Sequence, residues 1–140
     1  MEKYKISEDI KTFGVQVKTF PTGIGEAFEM LSKKLDKGMN RPYYGISWMD
    51  DKGKVVYYAN SAETFPGEAE KYKYETLVIE KGEYYSEPVK NWRSNLECIK
   101  DVFHDMMESG KTDSRKPCIE WYKSDDEMFC MIKAKHGLEY

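Results

Sequence analysis

Pro42-Tyr43-Tyr44-Gly45-Ile46-Ser47-Trp48 and Pro117-Cys118-Ile119-Glu120-Trp121-Tyr122-Lys123 follow one plan, a proline and then side chains that alternate across a strand. Each stretch opens a hairpin. The first returns through Asp50-Asp51-Lys52-Gly53 into Val55–Ala59, and the second through Ser124-Asp125-Asp126-Glu127 into Met128–Ala134. Period-two alternation bounded by turn residues marks paired strands. Working outward, each hairpin is preceded by an amphipathic helix, a Gly-containing turn and a strand. The chain therefore reads as two β-α-β-β units, about residues 12–60 and about residues 74–135, with a connector over 61–73. A unit this short cannot bury its sheet alone. The two are expected to share one sheet about a pseudo-twofold axis, as a single domain over residues 1–140 with a groove at the junction.

The first unit opens on a strand at about Thr12–Thr19, with Phe13, Val15 and Val17 on one face. Phe20-Pro21-Thr22-Gly23 turns the chain, Thr22 being placed to cap the next helix. Ile24, Phe28, Leu31 and Leu35 line one side of that helix, and Gly38 suits a left-handed end. In the second unit Tyr74–Lys81 is the opening strand, Gly82-Glu83-Tyr84-Tyr85 the turn, and Ser86-Glu87-Pro88 the helix start. Val89, Trp92, Leu96, Ile99, Phe103 and Met106 recur at threes and fours, which predicts a long one-sided helix.

At 140 residues and 40% apolar, the chain has material for a real core. A formal net charge of −3, with lysines and acids interleaved, argues against a nucleic-acid-binding face. Met1-Glu2-Lys3-Tyr4-Lys5 has no apolar signal segment and no run approaches membrane-spanning length, so the expectation is a cytoplasmic protein without a membrane partner. Cys98, Cys118 and Cys130 form an odd set without metal-like spacing and read as free thiols. His104 and His136 have no nucleophile or ligand partner nearby, and no phosphate loop, GxSxG or HExxH is present. Neither a metal site, a cofactor nor a histidine triad is expected.

Eleven Tyr, three Trp and six Phe exceed what a small core needs, and suggest a concave surface for something flat or cationic. Strand parity sorts the hairpins. Ile119 and Trp121 share a face, expected to pack on the Trp92 helix; Cys118, Glu120 and Tyr122 share the other. Tyr44, Ile46 and Trp48 form the core-facing set of the first hairpin, with Tyr43, Gly45 and Ser47 opposite. Setting Pro42 against Pro117 matches Gly45 with Glu120 and Ser47 with Tyr122. A carboxylate on a wall of Tyr rings would attract a cation by charge, with cation–π contacts of roughly 0.5–2 kcal/mol each. Burial would raise its pKa and a bound cation would favour ionisation again. The candidate ligand-binding residues are thus Glu120, Tyr122, Tyr43, Ser47, Cys118 and Gly45, together with Trp92, which also suits the core. Glu83, Tyr84 and Tyr85 are placed to form a rim.

The repeated element order resembles the GyrI-like, small-molecule effector-binding domains of bacterial multidrug-responsive transcription regulators. Pro117-Cys118-Ile119-Glu120-Trp121-Tyr122 is similar to a Pro-x-x-Glu-x-Tyr pattern of their last hairpin, and Gly82 followed by Trp92 to their strand–Gly–helix segment. The likeness runs from about residue 12 to about residue 135. It implies an α+β fold, an antiparallel sheet with both helices on one side. It also implies binding of hydrophobic or cationic aromatic compounds in a central cleft, with Glu120 as the cation partner. The chain lacks the helix-turn-helix segment of the regulators, so the stand-alone sensor or sequestering members are the nearer comparison. Two alternatives follow from the same resemblance: hydrolysis of reactive electrophiles by a cleft glutamate, for which only Glu120 is well placed, and a gyrase-modulator-like protein-interaction role. No motif for a regulator or other protein partner is present in the sequence.

Overall fold

The computed structural model describes residues 1–135, so His136 and the residues after it lie outside the description. Eight strands and three α-helices run in chain order as β1 (Glu2–Ile6), β2 (Ile10–Gln16), α1 (Ile24–Lys34), β3 (Tyr43–Met49), β4 (Val55–Ala62), α2 (Glu68–Tyr72), β5 (Glu75–Ile79), β6 (Gly82–Lys90), α3 (Leu96–Glu108), β7 (Cys118–Tyr122) and β8 (Glu127–Lys133). The strands make one curled antiparallel sheet in the order β1-β6-β8-β7-β3-β4-β2-β5. This is the expected α+β class.

The halves meet at the centre of the sheet through the pair β3 with β7, where Gly45 lies opposite Glu120. Register then repeats outward on each side. Gly45 faces Ala59 on β4, and Ala59 faces Val15 on β2; Glu120 faces Cys130 on β8, and Cys130 faces Glu87 on β6. The second-half counterpart of β2 is thus β6, whereas the sequence pattern assigned that place to residues 74–81. Strand β5 instead pairs with β2 of the first half, and β1, which the pattern did not show, pairs with β6 of the second. Each half lends its leading strand to the edge of the other.

The second helix starts later than its apolar period suggested. Residues 82–90 are strand, including Pro88, followed by a short 3₁₀ turn at Trp92–Ser94 and then α3. The proline is tolerated because β1 ends at Glu2, opposite Ser86, and leaves that side of β6 unpaired at Pro88. Asn91 adopts φ 53°, a left-handed conformation open to Asn, and ends the strand. Tyr84 is buried on the sheet side away from the helices and donates its hydroxyl to the Glu80 carbonyl at 2.6 Å, Tyr85 packs against the core under α3, and neither they nor Glu83 line the groove. At α1, Gly23 rather than Thr22 occupies the N-cap; the Thr22 hydroxyl donates to the Thr19 carbonyl.

Both sheet faces are packed. Leu31 and Leu35 at α1 pack on Phe13, Val17, Tyr57 and Ala59; Ile99, Phe103 and Met106 of α3 pack on Val89, Met128 and Cys130. The reverse face carries Ile6, Ile46, Ile79, Tyr84, Ile119 and Met131. Ile119 and Trp121 therefore pack away from α3, and it is Cys118 and Tyr122 that lie against its side of the sheet. The parity assignment holds, but the helices cover the other face.

The connector is ordered by one buried ion pair. Arg41 and Glu68 side chains have no exposed surface, and the guanidinium meets both carboxylate oxygens at 2.7 and 2.9 Å. Its remaining N–H groups reach Ser61 Oγ and the carbonyls of Asp36 and Ala62, so the fork of five donors is filled. Glu68 also accepts from the Thr64 backbone N–H. Desolvation pushes its pKa up, but the hydrogen bonds from Arg41 and Thr64 outweigh it and hold the carboxyl below its ordinary value. Arg41→Ala should lower unfolding free energy in urea titrations by about 3–5 kcal/mol, because Glu68 is left as a buried unpaired charge.

Candidate functional site

The groove lies on the helix side, over the junction of the two halves. Its floor is built by alternation: Tyr43, Gly45 and Ser47 from β3, Cys118, Glu120 and Tyr122 from β7, and Tyr57 from β4. The space, including its wide mouth, is about 2420 Å³. A drug-sized ligand needs roughly 300–1,000 Å³, so it would fill part of it.

Glu120 is at the centre. Its Oε1 accepts two phenolic hydrogen bonds, from Tyr57 at 2.6 Å and from Tyr122 at 2.5 Å. The two hydroxyls lie 3.4 Å apart. Oε2 accepts nothing among the described residues, and it is not sealed from the groove. No Lys or Arg within the described residues pairs with this carboxylate. Burial therefore dominates and raises the Glu120 pKa, although both phenols pull it down. Burial and the neighbouring carboxylate push the Tyr57 and Tyr122 hydroxyls well above their ordinary value, so both stay protonated as donors.

Gly45 makes this arrangement possible. An ideal Cβ at Gly45 would stand 2.0 Å from the Tyr57 hydroxyl and 2.7 Å from Glu120 Oε1. The space beside Gly45 is thus already occupied, by the Tyr57 hydroxyl and the Glu120 carboxylate. Tyr43 donates to the Gly38 carbonyl at 2.7 Å and takes the edge of Phe28, which makes it a wall between α1 and the floor. Ser47 lies opposite Cys118 further along the floor. Cys118 is half-buried with its thiol pushed up to about 11, mainly by burial, which suits a small lining group more than a nucleophile.

Aromatic rings enclose the carboxylate. Tyr122 is flanked by Trp92 at 4.9 Å and Phe28 at 5.1 Å between ring centroids, both edge-on, while Phe20 stacks on Tyr57 at 5.4 Å. The Trp92 indole N–H donates to the Ser124 carbonyl, which fixes that ring at the groove lip, packed against the edge of the core under α3. Six of the seven residues singled out in the sequence line this groove, and the seventh, Gly45, lies beneath the Tyr57 hydroxyl and the Glu120 carboxylate. Sequence reading passed over Tyr57, Phe20 and Phe28. Tyr57 was accessible to the same parity argument, since the first hairpin sets it opposite Ser47; the other two depended on how α1 crosses the sheet.

Neither a protein-family model nor a curated protein matches this sequence. Solved structures do. SAV2435, solved bound to tetraphenylphosphonium, aligns with a TM-score of 0.70 at 12% identity, over 96% of this chain and 93% of its own. An integron cassette protein from the mobile metagenome of Vibrio cholerae aligns at 0.64 and 15% identity, over 96% and 95%. A putative bacterial transcription regulation protein from Staphylococcus aureus MU50 aligns at 0.65 and 11%, over 96% and 97%. At these identities the likeness is one of fold, and the chain has the GyrI-like fold.

Two outcomes follow from the geometry. Gly45→Ala forces Tyr57 off Glu120 and should cost about 1–3 kcal/mol of stability in chemical denaturation. Glu120 holds its proton more tightly folded than unfolded, so its contribution to stability is greatest below the ordinary carboxylate pKa. It then declines as pH rises from there through the elevated native value. Glu120→Gln should remove that decline from a stability–pH profile, while an unchanged slope would place its cause elsewhere.

Proposed function

We propose that the groove binds small hydrophobic cations, particularly aromatic ones, and that the protein acts as a sensor or sequestering protein for such compounds. One observation carries this reading: Glu120 is a carboxylate without a cationic partner among the described residues, held by two tyrosines at one oxygen and open to the groove at the other. Removing a charge from water without pairing it is costly. A cation entering the groove would relieve that cost, and the ring faces around it would add cation–π and apolar contact. Exposed Phe20, Met39, Met49, Leu96 and Met107 surround the mouth. Methionine side chains repack around differently shaped partners, which suits a binder of varied compounds. The fold shared with SAV2435, solved with tetraphenylphosphonium, adds support.

Calorimetric titration with tetraphenylphosphonium tests the proposal. Saturable binding is expected, weakened about tenfold or more in Glu120→Gln, a loss of ~1.4 kcal/mol per decade. Affinity should rise with pH as Glu120 ionises, with protons released on binding in that interval. Absence of saturation, or equal affinity in Glu120→Gln, would overturn it.

A further inference from the structure

A second concavity lies on the reverse face of the sheet. It measures about 630 Å³, within the range of small-molecule sites. Ile6, Ile79, Ile119 and Met131 make its floor, each 2–8% exposed. Two connections raise its sides, the β1–β2 turn at Ser7–Asp9 and the segment Glu63–Pro66. Trp121, Tyr4, Tyr44 and Phe65 form its aromatic walls, with Tyr4 and Trp121 ring centroids 6.0 Å apart.

Its electrostatics differ from those of the groove. Lys11 is paired with Glu63 and Glu70 at 3.4 Å each, and Asp9 accepts the Lys81 backbone N–H at 2.8 Å. Lys5 and Glu8 are exposed at the rim and opposite in sign. These charges stand at the rim, and none belongs to the apolar floor. The Tyr44 hydroxyl, by contrast, has no hydrogen-bond partner among the described residues, and burial together with the nearby Tyr4 pushes its pKa up. That hydroxyl is not sealed from solvent, so it is free to donate to an acceptor on a ligand.

We infer that this reverse-face cavity is a second small-molecule site, taking uncharged, flat, apolar compounds that carry one hydrogen-bond acceptor for Tyr44. The aliphatic floor and aromatic walls would bury the ligand's rings, and the acceptor would fix its orientation. The site is separate from the groove, because β7 presents Ile119 and Trp121 to one and Glu120 and Tyr122 to the other.

The test uses benzophenone and diphenylmethane, two uncharged diaryl probes that differ in the presence of a carbonyl acceptor, with isoleucine methyl groups followed by NMR. Saturable shifts are expected at Ile6, Ile10, Ile79 and Ile119, which line the reverse-face cavity, and not at Ile24, Ile99 and Ile132, which line the groove. Benzophenone should bind several-fold more tightly than diphenylmethane. Tyr44→Phe should abolish that preference while retaining diphenylmethane binding, and Phe65→Ala, at an exposed position, should weaken both probes. Shifts confined to the groove set, no saturable binding, or an undiminished carbonyl preference in Tyr44→Phe would overturn the assignment. None of these readouts requires cation binding at Glu120, so the two proposals fail separately.

Discussion

A side chain is missing where the two halves of the molecule meet, and the groove takes its form from that gap. Strands β3 and β7 provide the central pairing of the sheet, with Gly45 opposite Glu120. The space that a Cβ would fill admits the Tyr57 hydroxyl from β4 and Glu120 Oε1 from β7. Tyr57 can then join Tyr122 in donating to one carboxylate oxygen. Hydrogen bonds to a charged acceptor contribute about 1.5–3 kcal/mol each. Desolvating a carboxylate costs several kcal/mol, and Glu120 retains a raised pKa despite both donors. The tyrosines position the group without neutralising it, which leaves a bound cation something to add.

Much of this was legible in the sequence because period-two alternation determines faces whatever the packing. Tyr43, Gly45 and Ser47 and then Cys118, Glu120 and Tyr122 fell on common faces as the structure has them, and the register places Gly45 against Glu120. Alternation does not tell which face the helices cover. Here both faces are apolar, Ile119 and Met131 on one and Cys130 and Met128 on the other, so the sequence pattern favoured the wrong side. The onset of α3 was misplaced for a related reason. Val89 and Trp92 continue the helical spacing of Ile99 and Phe103 by coincidence, although Val89 lies in β6 and Trp92 in a 3₁₀ turn. The exchange of β1 and β5 between halves is a pairing across most of the chain, and no local pattern encodes such a partner.

Symmetry also explains why the site is lopsided. With Pro42 set against Pro117, the registers carry Gly45 onto Glu120, Ser47 onto Tyr122, Tyr43 onto Cys118 and Tyr57 onto Met128. The Gly45–Glu120 pair therefore sits on the pseudo-twofold axis, and any side chain placed there faces its own image. Two glutamates at that point would share one space, and like charges so close cannot both remain ionised. Two glycines would leave a void with nothing to attract a ligand. Glycine against glutamate avoids both failures: one strand supplies the charge and the other the room it occupies. The flanking positions follow suit, since a tyrosine in place of Met128 would carry its hydroxyl onto the Glu120 Cβ, as the Tyr57 hydroxyl occupies the place of the absent Gly45 Cβ. A polar centre built on such an axis is thus driven to asymmetry, and both of its phenols end on one carboxylate oxygen while the other faces the groove.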